Sequence, residues 1–197
     1  VVDPPADAVD GAGGMEYPTF VTTAADNALT SLDGVWFPEI VTVHEVGHNW
    51  FQGLLASNEV DEAWLDEGIN QYANGIVMDQ GKGADRSVLD AWGVRLAYSD
   101  VHGLGGDVSE LSSPIASRSY EFATFGEYGT ATYSKTAIAL KTLENMVGSD
   151  KFLRALGVYA RTFAFQHPTR DDFLQTLRQE LGDALVGDLN WYLDPAF

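Results

Sequence analysis

Two histidines and a glutamate stand close together in the segment His44-Glu45-Val46-Gly47-His48. Residues four positions apart on a helix lie one turn above each other, so His44 and His48 can offer two imidazole nitrogens to one metal ion. The pattern H-E-x-x-H on a helix is typical of a zinc site with the glutamate beside the metal. The alternative is a chance match on an ordinary core helix.

A third ligand follows along the chain. Glu67, in the segment Trp64-Leu65-Asp66-Glu67-Gly68, comes after eighteen intervening residues, 49–66. A catalytic zinc takes three protein ligands and keeps a fourth position open for water, and His44, His48 and Glu67 satisfy that number. The chain has only four histidines, and two of them have this ligand spacing. We therefore predict one zinc ion per chain, held as in a metallopeptidase.

The composition excludes several other classes of protein. Among 197 residues, 29 are acidic and 11 basic, for a net charge of −18 that repels nucleic acid and anionic membranes. The chain has no cysteine, which excludes disulfides, thiol catalysis and cysteine metal ligands. No apolar run of eighteen or more residues and no signal-peptide pattern stands out, so we expect no membrane insertion. The compartment stays open, with export or a periplasmic parent protein among the options.

The elements that must position these residues are mainly helical. Periodicity predicts a helix over 35–55 that carries both histidines, with Gly53 near its end. We expect 58–62 to be a connection and 64–78 a second helix, with Glu67 in its first turn.

Further helices are predicted on both sides of a long loop. Their expected ranges are 84–99, 133–147, 149–165 and a last helix that begins at Thr169, a good N-cap, before a short amphipathic element over 184–197. Residues 101–118 are rich in glycine and serine and predict a loop, in which His102 is expected to be a surface histidine.

The N-terminal region predicts a strand. Residues 1–12 are typical of a linker or tail, and 13–23 of an edge strand, because Pro18 leaves one side without ladder bonds. Such an edge can pair with a peptide backbone, or it can be an ordinary solvated edge. We expect an α+β, predominantly helical protein, with one domain over 13–197 and a small N-terminal sheet remnant.

Three motifs in this order resemble the M1 family of zinc aminopeptidases: Gly13-Gly14-Met15-Glu16-Tyr17-Pro18, His-Glu-x-x-His-x18-Glu, and Tyr133-Ser134-Lys135. The resemblance covers about 13–148, with 169–191 similar to the helical end of the catalytic domain. It implies a thermolysin-like gluzincin domain that removes N-terminal residues from peptides through a zinc-activated water. Family members also have an N-terminal β-rich domain and mostly a C-terminal helical one. We therefore expect an excised catalytic region, partnered by other domains of its parent and weak or inactive alone.

The resemblance also implies a role for each motif residue. His44, His48 and Glu67 correspond to the zinc ligands, and Glu45 corresponds to the general base.

The remaining correspondences concern the substrate. Glu16 corresponds to the glutamate that binds the free α-amine, and the backbones of Gly13 and Gly14 to the substrate lining. Tyr133 corresponds to the tyrosine that donates to the oxyanion, with Tyr128 as a rival in the same segment.

Alternatives remain at this stage. A thermolysin-like endopeptidase would use the same zinc without an amine anchor at Glu16, and a non-catalytic peptide-binding domain would retain zinc but have no use for Glu45. Gln71 and Asn74 can each hydrogen-bond a ligand histidine or serve as a packing amide.

Overall fold

The computed structural model describes residues 1, 2, 4, 14–23, 32–107 and 113–182, without the side chains of 103–107. This part of the chain is mostly helical, as predicted. Its one two-stranded sheet lies within 89–96 and not in the N-terminal region, where a sheet remnant was expected. The chain divides into two compact units: Val1–Asn49 with Ala73–Val101, and Trp50–Tyr72 with His102–Phe197. Most of the tail expected over 1–12 and all of 184–197 lie outside the described residues.

The helices and strands follow in chain order, and two of the helical segments have π geometry. They are α1 (Phe37–Gly47), α2 (Glu59–Ala63), π1 (Trp64–Gly68), α3 (Ile69–Lys82), β1 (Leu89–Ala91), β2 (Val94–Leu96), α4 (Tyr98–Asp107), a 3₁₀ turn (Ser119–Glu121), α5 (Phe125–Gly129), π2 (Thr130–Lys135), α6 (Thr136–Val147), α7 (Ser149–Thr162) and α8 (Arg170–Leu181). The helices predicted over 149–165 and from Thr169 are confirmed. The helix predicted over 133–147 is part of a longer run that starts at Phe125.

In the first unit, the helix predicted over 84–99 is wrong. β1 and β2 form an antiparallel hairpin in which Leu89 lies opposite Leu96. Its turn consists of Trp92 and Gly93, whose φ angles are both positive, 54° and 77°. A type I′ turn requires positive φ at both central residues, and this favours a hairpin over a continuous helix. The predicted loop over 101–118 is also wrong in part, because α4 extends to Asp107.

The histidine-bearing helix α1 ends at Gly47, well before the predicted end near residue 55. Asn49 closes the helix, because its backbone N–H and its side-chain Nδ2 both donate to the Val46 carbonyl, at 3.1 and 2.7 Å. That carbonyl is then unavailable to a further helical turn. At the other end, Trp36 donates from Nε1 to the Arg86 carbonyl at 3.1 Å, which fixes the start of α1 within the first unit.

The strand predicted over 13–23 is a short hairpin with a turn. Met15 and Thr22 pair antiparallel, with N···O distances of 3.4 and 3.0 Å. Between them, Phe20 N–H donates to the Tyr17 carbonyl at 2.9 Å, and Thr19 has a φ of 65°. Proline followed by a residue of positive φ is typical of a type II turn. Glu16 thus directly follows a backbone-paired residue, which limits its freedom.

In the second unit, the connection predicted over 58–62 is helical. Asn58 is the N-cap of α2, and its side chain accepts the Val60 N–H at 3.0 Å. The helical run continues through π1 into α3, so Glu67 lies in π1 rather than in a first turn.

The core of the second unit is aromatic. Phe173 of α8 is fully buried, with ring centroids 5.7 Å from Trp64 and 5.1 Å from Tyr159, both edge-on. Edge-to-face pairs at such distances add to the stabilisation from burial. This packing fixes π1, which carries Trp64 and Glu67, against α7 and α8.

Candidate metal centre

The first unit brings the two motif histidines together. His44 lies in the last turn of α1, and His48 directly follows its last residue. The His48 N–H still donates to the His44 carbonyl, at 3.3 Å, so the one-turn relation continues past the helix end. The two Nε2 atoms are 3.1 Å apart, and the rings are perpendicular with centroids 4.7 Å apart.

The Nε2 pair fits a zinc ion. With Zn–N bonds of 2.0–2.1 Å and tetrahedral angles, two coordinating nitrogens lie about 3.3 Å apart. The observed 3.1 Å is close to that value without any rearrangement of the rings. Neutral imidazoles supply the nitrogen donors that zinc prefers.

Two carboxylates of the first unit, those of Glu16 and Glu45, lie near His48. Glu45 is only 7% exposed, His48 is 3% exposed, and Glu16 is half-buried. One ligand-type atom from each of these three residues lies within 4.8 Å of the others. The hairpin of 15–22 and the helix α1 therefore direct two acids and one imidazole to the same place, which favours a cationic ligand.

Gly14 lies directly against Glu45. A Cβ at position 14 would lie 2.7 Å from the Glu45 Cδ, closer than real Cβ contacts, so a larger residue there would displace the Glu45 side chain. Gly13, its predicted companion, lies outside the described residues.

The second unit brings Glu67 and Tyr133 together, each on a π-helical segment. Burial raises the pKa of the Tyr133 hydroxyl, and the charge of Glu67 and a hydrogen bond to it raise this pKa further. The hydroxyl therefore stays protonated and able to donate. Tyr128, the rival tyrosine, packs edge-on against Tyr133 with centroids 6.2 Å apart.

π1 and π2 approach each other closely at Gly68. A Cβ there would lie 2.5 Å from the Thr136 Cβ and 2.7 Å from the Thr132 carbonyl oxygen. π-helical turns inside α-helices occur frequently at functional sites. Neither π segment was predicted from the sequence, in which Gly68, directly after Glu67, is the local signal of a close approach.

Predictions were also made for three other polar residues, His102, Gln71 and Asn74. His102 was expected at the surface, and this is wrong: it is half-buried, with nitrogens 3.0 Å from Gln71 Nε2 and 3.0 Å from Ser134 Oγ. Asn74 is 2% exposed and donates to the Ile40 carbonyl at 3.2 Å, as a packing amide does.

Comparison with known proteins gives a consistent result. The family model described as Peptidase family M1 domain matches residues 10–194. Aminopeptidase B of Mus musculus is 29% identical over 169 residues, which cover 83% of this chain and 25% of that protein. Aminopeptidase N of Oryctolagus cuniculus is 28% identical over 146 residues, 71% of this chain and 14% of that protein.

Solved structures share the fold. The crystal structure of an M1 zinc metallopeptidase from Deinococcus radiodurans superposes with a TM-score of 0.69 at 20% identity, over 93% of this chain and 37% of that one. In length, the chain spans 25% of the mouse aminopeptidase B and 14% of the rabbit aminopeptidase N named above. None of the helices in the described part of the chain is long and apolar enough to span a membrane.

Proposed function

The chain belongs to peptidase family M1, and on that premise we propose that it is a zinc-dependent aminopeptidase catalytic region that hydrolyses N-terminal residues from peptides. Residues 13–197 would form its thermolysin-like domain. The observation that carries the proposal is the grouping of His44, His48, Glu45 and Glu16 in the first unit.

Zinc is the proposed cofactor, one ion per chain. The facing Nε2 atoms of His44 and His48 support their assignment as ligands. The eighteen-residue spacing of the motif assigns Glu67 as the third ligand. When bound, zinc lowers the pKa of a coordinated water to about 7 and polarises a carbonyl.

Glu45 is the proposed general base. Its burial limits exchange with bulk water. Glu16 and His48 lie beside it, within 4.8 Å between ligand-type atoms. Its carboxylate accepts a proton from the attacking water and passes it to the leaving amine.

Glu16 is the proposed anchor for the free α-amine of the substrate. Its half-buried carboxylate lies near Glu45 and His48, where an ammonium group would find a partner beside the scissile bond. The backbones of Gly14 and of Gly13 are proposed to line the peptide; at Gly14, a Cβ would displace the carboxylate of Glu45 from its present position.

Tyr133 is the proposed oxyanion donor. A hydroxyl whose pKa is raised by burial keeps its proton at neutral pH and can donate a hydrogen bond to a developing oxyanion. One such donor is worth about 2.7–4 kcal/mol of transition-state stabilisation.

The first experiment measures zinc content and hydrolysis of aminoacyl-anilides with free and with acetylated amines. The variants are Glu45→Gln, Glu67→Gln and Glu16→Ala, and the matched control is Glu180→Gln, an exposed glutamate of α8. We expect the parent chain and Glu45→Gln to bind one zinc, and Glu67→Gln to bind little. Turnover should require a free amine and vanish in Glu45→Gln.

Other results separate the alternatives. Equal turnover of free and acetylated substrates would favour an endopeptidase. Zinc binding without turnover of either substrate would favour a peptide-binding domain. Turnover by Glu45→Gln at the parent rate would refute the proposed base, and a zinc-free folded protein would refute the metal centre.

A further inference from the structure

The second unit contains a row of three hydrogen-bonded side chains that the proposed function does not use. His102 of α4 lies between Gln71 of α3 and Ser134 of π2. Its Nε2 is 3.0 Å from Gln71 Nε2, and its Nδ1 is 3.0 Å from Ser134 Oγ. His102 is half-buried, and its two partners are 31 and 32 positions away in the sequence.

Each of the two hydrogen bonds of His102 has a definite donor and acceptor. An amide nitrogen only donates, so His102 Nε2 accepts from Gln71, and the ring proton lies on Nδ1, which donates to Ser134 Oγ. A neutral imidazole with one donor and one acceptor nitrogen satisfies both bonds at once. The ring therefore bridges α3 and π2 in a defined orientation.

Glu67 lies in π1, which continues directly into α3, so the two helical segments π1–α3 and π2 also carry Glu67 and Tyr133. Gln71 comes one turn after Glu67, and Ser134 directly follows Tyr133. Tyr133 and Glu67 are hydrogen-bonded to each other. The two segments are thus joined at two places, once directly and once through His102.

We propose that His102 is a positioning residue: by joining Gln71 to Ser134 it sets the rotation of π2 and holds the Tyr133 hydroxyl against Glu67. The packing of Gly68 on Thr136 brings the backbones together through contact with the methyl-bearing side of Thr136, which is a non-directional interaction. Hydrogen bonds are directional, so the bridge supplies what packing lacks. The catalytic consequence rests on the proposed role of Tyr133, whereas the positioning itself does not.

The test of positioning is an NMR measurement that needs no turnover. Tyrosine is labelled with ¹³C at Cζ, and the Tyr133 resonance is assigned by its loss in Tyr133→Phe. We expect His102→Ala and Ser134→Ala to shift or broaden that resonance and to leave the resonance of Tyr159, buried in α7, unchanged. A Tyr133 resonance that stays at its original position in both variants would overturn the proposal.

Two further variants sharpen this test. His102→Asn retains a donor near the Nδ1 position and loses the bond to Gln71, so it should give a smaller change than alanine. His167→Ala is the matched control, because His167 is exposed and its Nδ1 bonds only a backbone carbonyl, that of Ala56, at 2.8 Å. It should leave the Tyr133 resonance unmoved. If His102→Ala does not fold, Ser134→Ala removes the same bond by deleting one hydroxyl.

A double-mutant cycle on kcat tests the consequence for catalysis. His102→Ala should lower kcat roughly tenfold, with KM nearly unchanged, because a displaced donor loses transition-state contact. In the Tyr133→Phe background it should cause no further loss. An equal loss in both backgrounds would show that His102 does not act through Tyr133. If Tyr133→Phe alone keeps full turnover, the oxyanion role fails, and the NMR result still decides the positioning.

Discussion

The contact between π1 and π2 at Gly68 predicts opposite effects for the same substitution at two positions of one helical run. Gly68→Ala places a Cβ against Thr136 and the Thr132 carbonyl, whereas Gly81→Ala, in α3, meets nothing within 4 Å. Replacing a helical glycine by alanine is favourable by about 0.5–1 kcal/mol where space allows. Gly81→Ala should therefore stabilise the chain, and Gly68→Ala should not.

The size of the effect at Gly68 follows from the distances. A Cβ added at residue 68 would start 2.7 Å from the Thr132 oxygen, whereas an ordinary contact is 3.4 Å. The two segments would therefore have to separate by about 0.7 Å. Overpacking of this kind costs about 1–3 kcal/mol, which exceeds the gain in helix propensity. The same movement would lengthen a Tyr133–Glu67 hydrogen bond from about 2.7 Å to about 3.4 Å, beyond useful strength.

Thermal unfolding and kinetics check both parts. For a chain of this size, 1 kcal/mol corresponds to about 2–4 °C in Tm. We expect Gly68→Ala to lower Tm by several degrees and kcat by roughly tenfold or more, and Gly81→Ala to raise Tm slightly with kcat unchanged. Equal Tm and kcat for the two variants would refute the reasoning that the close approach positions Tyr133.

Two further predictions concern stability in the second unit. Thr169→Ala removes the side chain that accepts the Asp172 N–H at the start of α8, and should cost about 0.5–2 kcal/mol in urea unfolding, whereas exposed Thr162 should tolerate alanine. Burial disfavours the charge of Glu144, but hydrogen bonds from Lys141 and Ser149, at 2.7 and 2.6 Å, outweigh this and lower its pKa. A lowered folded-state pKa contributes stability above the unfolded value of about 4.3 and loses it as pH falls through the folded value. Glu144→Gln should therefore lower the urea midpoint at pH 7, and this difference should shrink toward pH 3; an undiminished difference at pH 3 would contradict the assignment.

The candidate site could be predicted from sequence where short spacing determines geometry. His44 and His48 are one helical turn apart, and that relation holds although α1 ends at Gly47, before His48. The position of Glu16 near Glu45 required the family resemblance, because the twenty-eight residues 17–44 lie between them and no periodicity links a hairpin to a helix. The assigned roles stay predictions.

The errors in the fold arose where long-range packing decides. The apolar residues of 84–99 suit a helical stripe, but short apolar runs do not distinguish helix from strand, and the Trp92-Gly93 turn decides for a hairpin. π1 and π2 depend on the approach of Gly68 to residues more than sixty positions later, which no local pattern encodes. The partners of His102 are 31 and 32 positions away, so its sequence context resembles that of a surface histidine.

The charges of the proposed centre favour a substrate with a free amine. By the assignment proposed above from motif spacing, zinc would contribute two positive charges and Glu16, Glu45 and Glu67 three negative ones, a sum of −1. A substrate ammonium beside Glu16 brings the sum to zero, whereas an acetylated substrate leaves an unbalanced charge in a partly buried place, where it costs most. The chain's net charge of −18 attracts cations in general but acts on every substrate from a distance, and salt screens it. We therefore expect selection for a free amine to depend on Glu16, whose carboxylate lies close to Glu45 and His48, and the Glu16→Ala comparison measures that contribution directly.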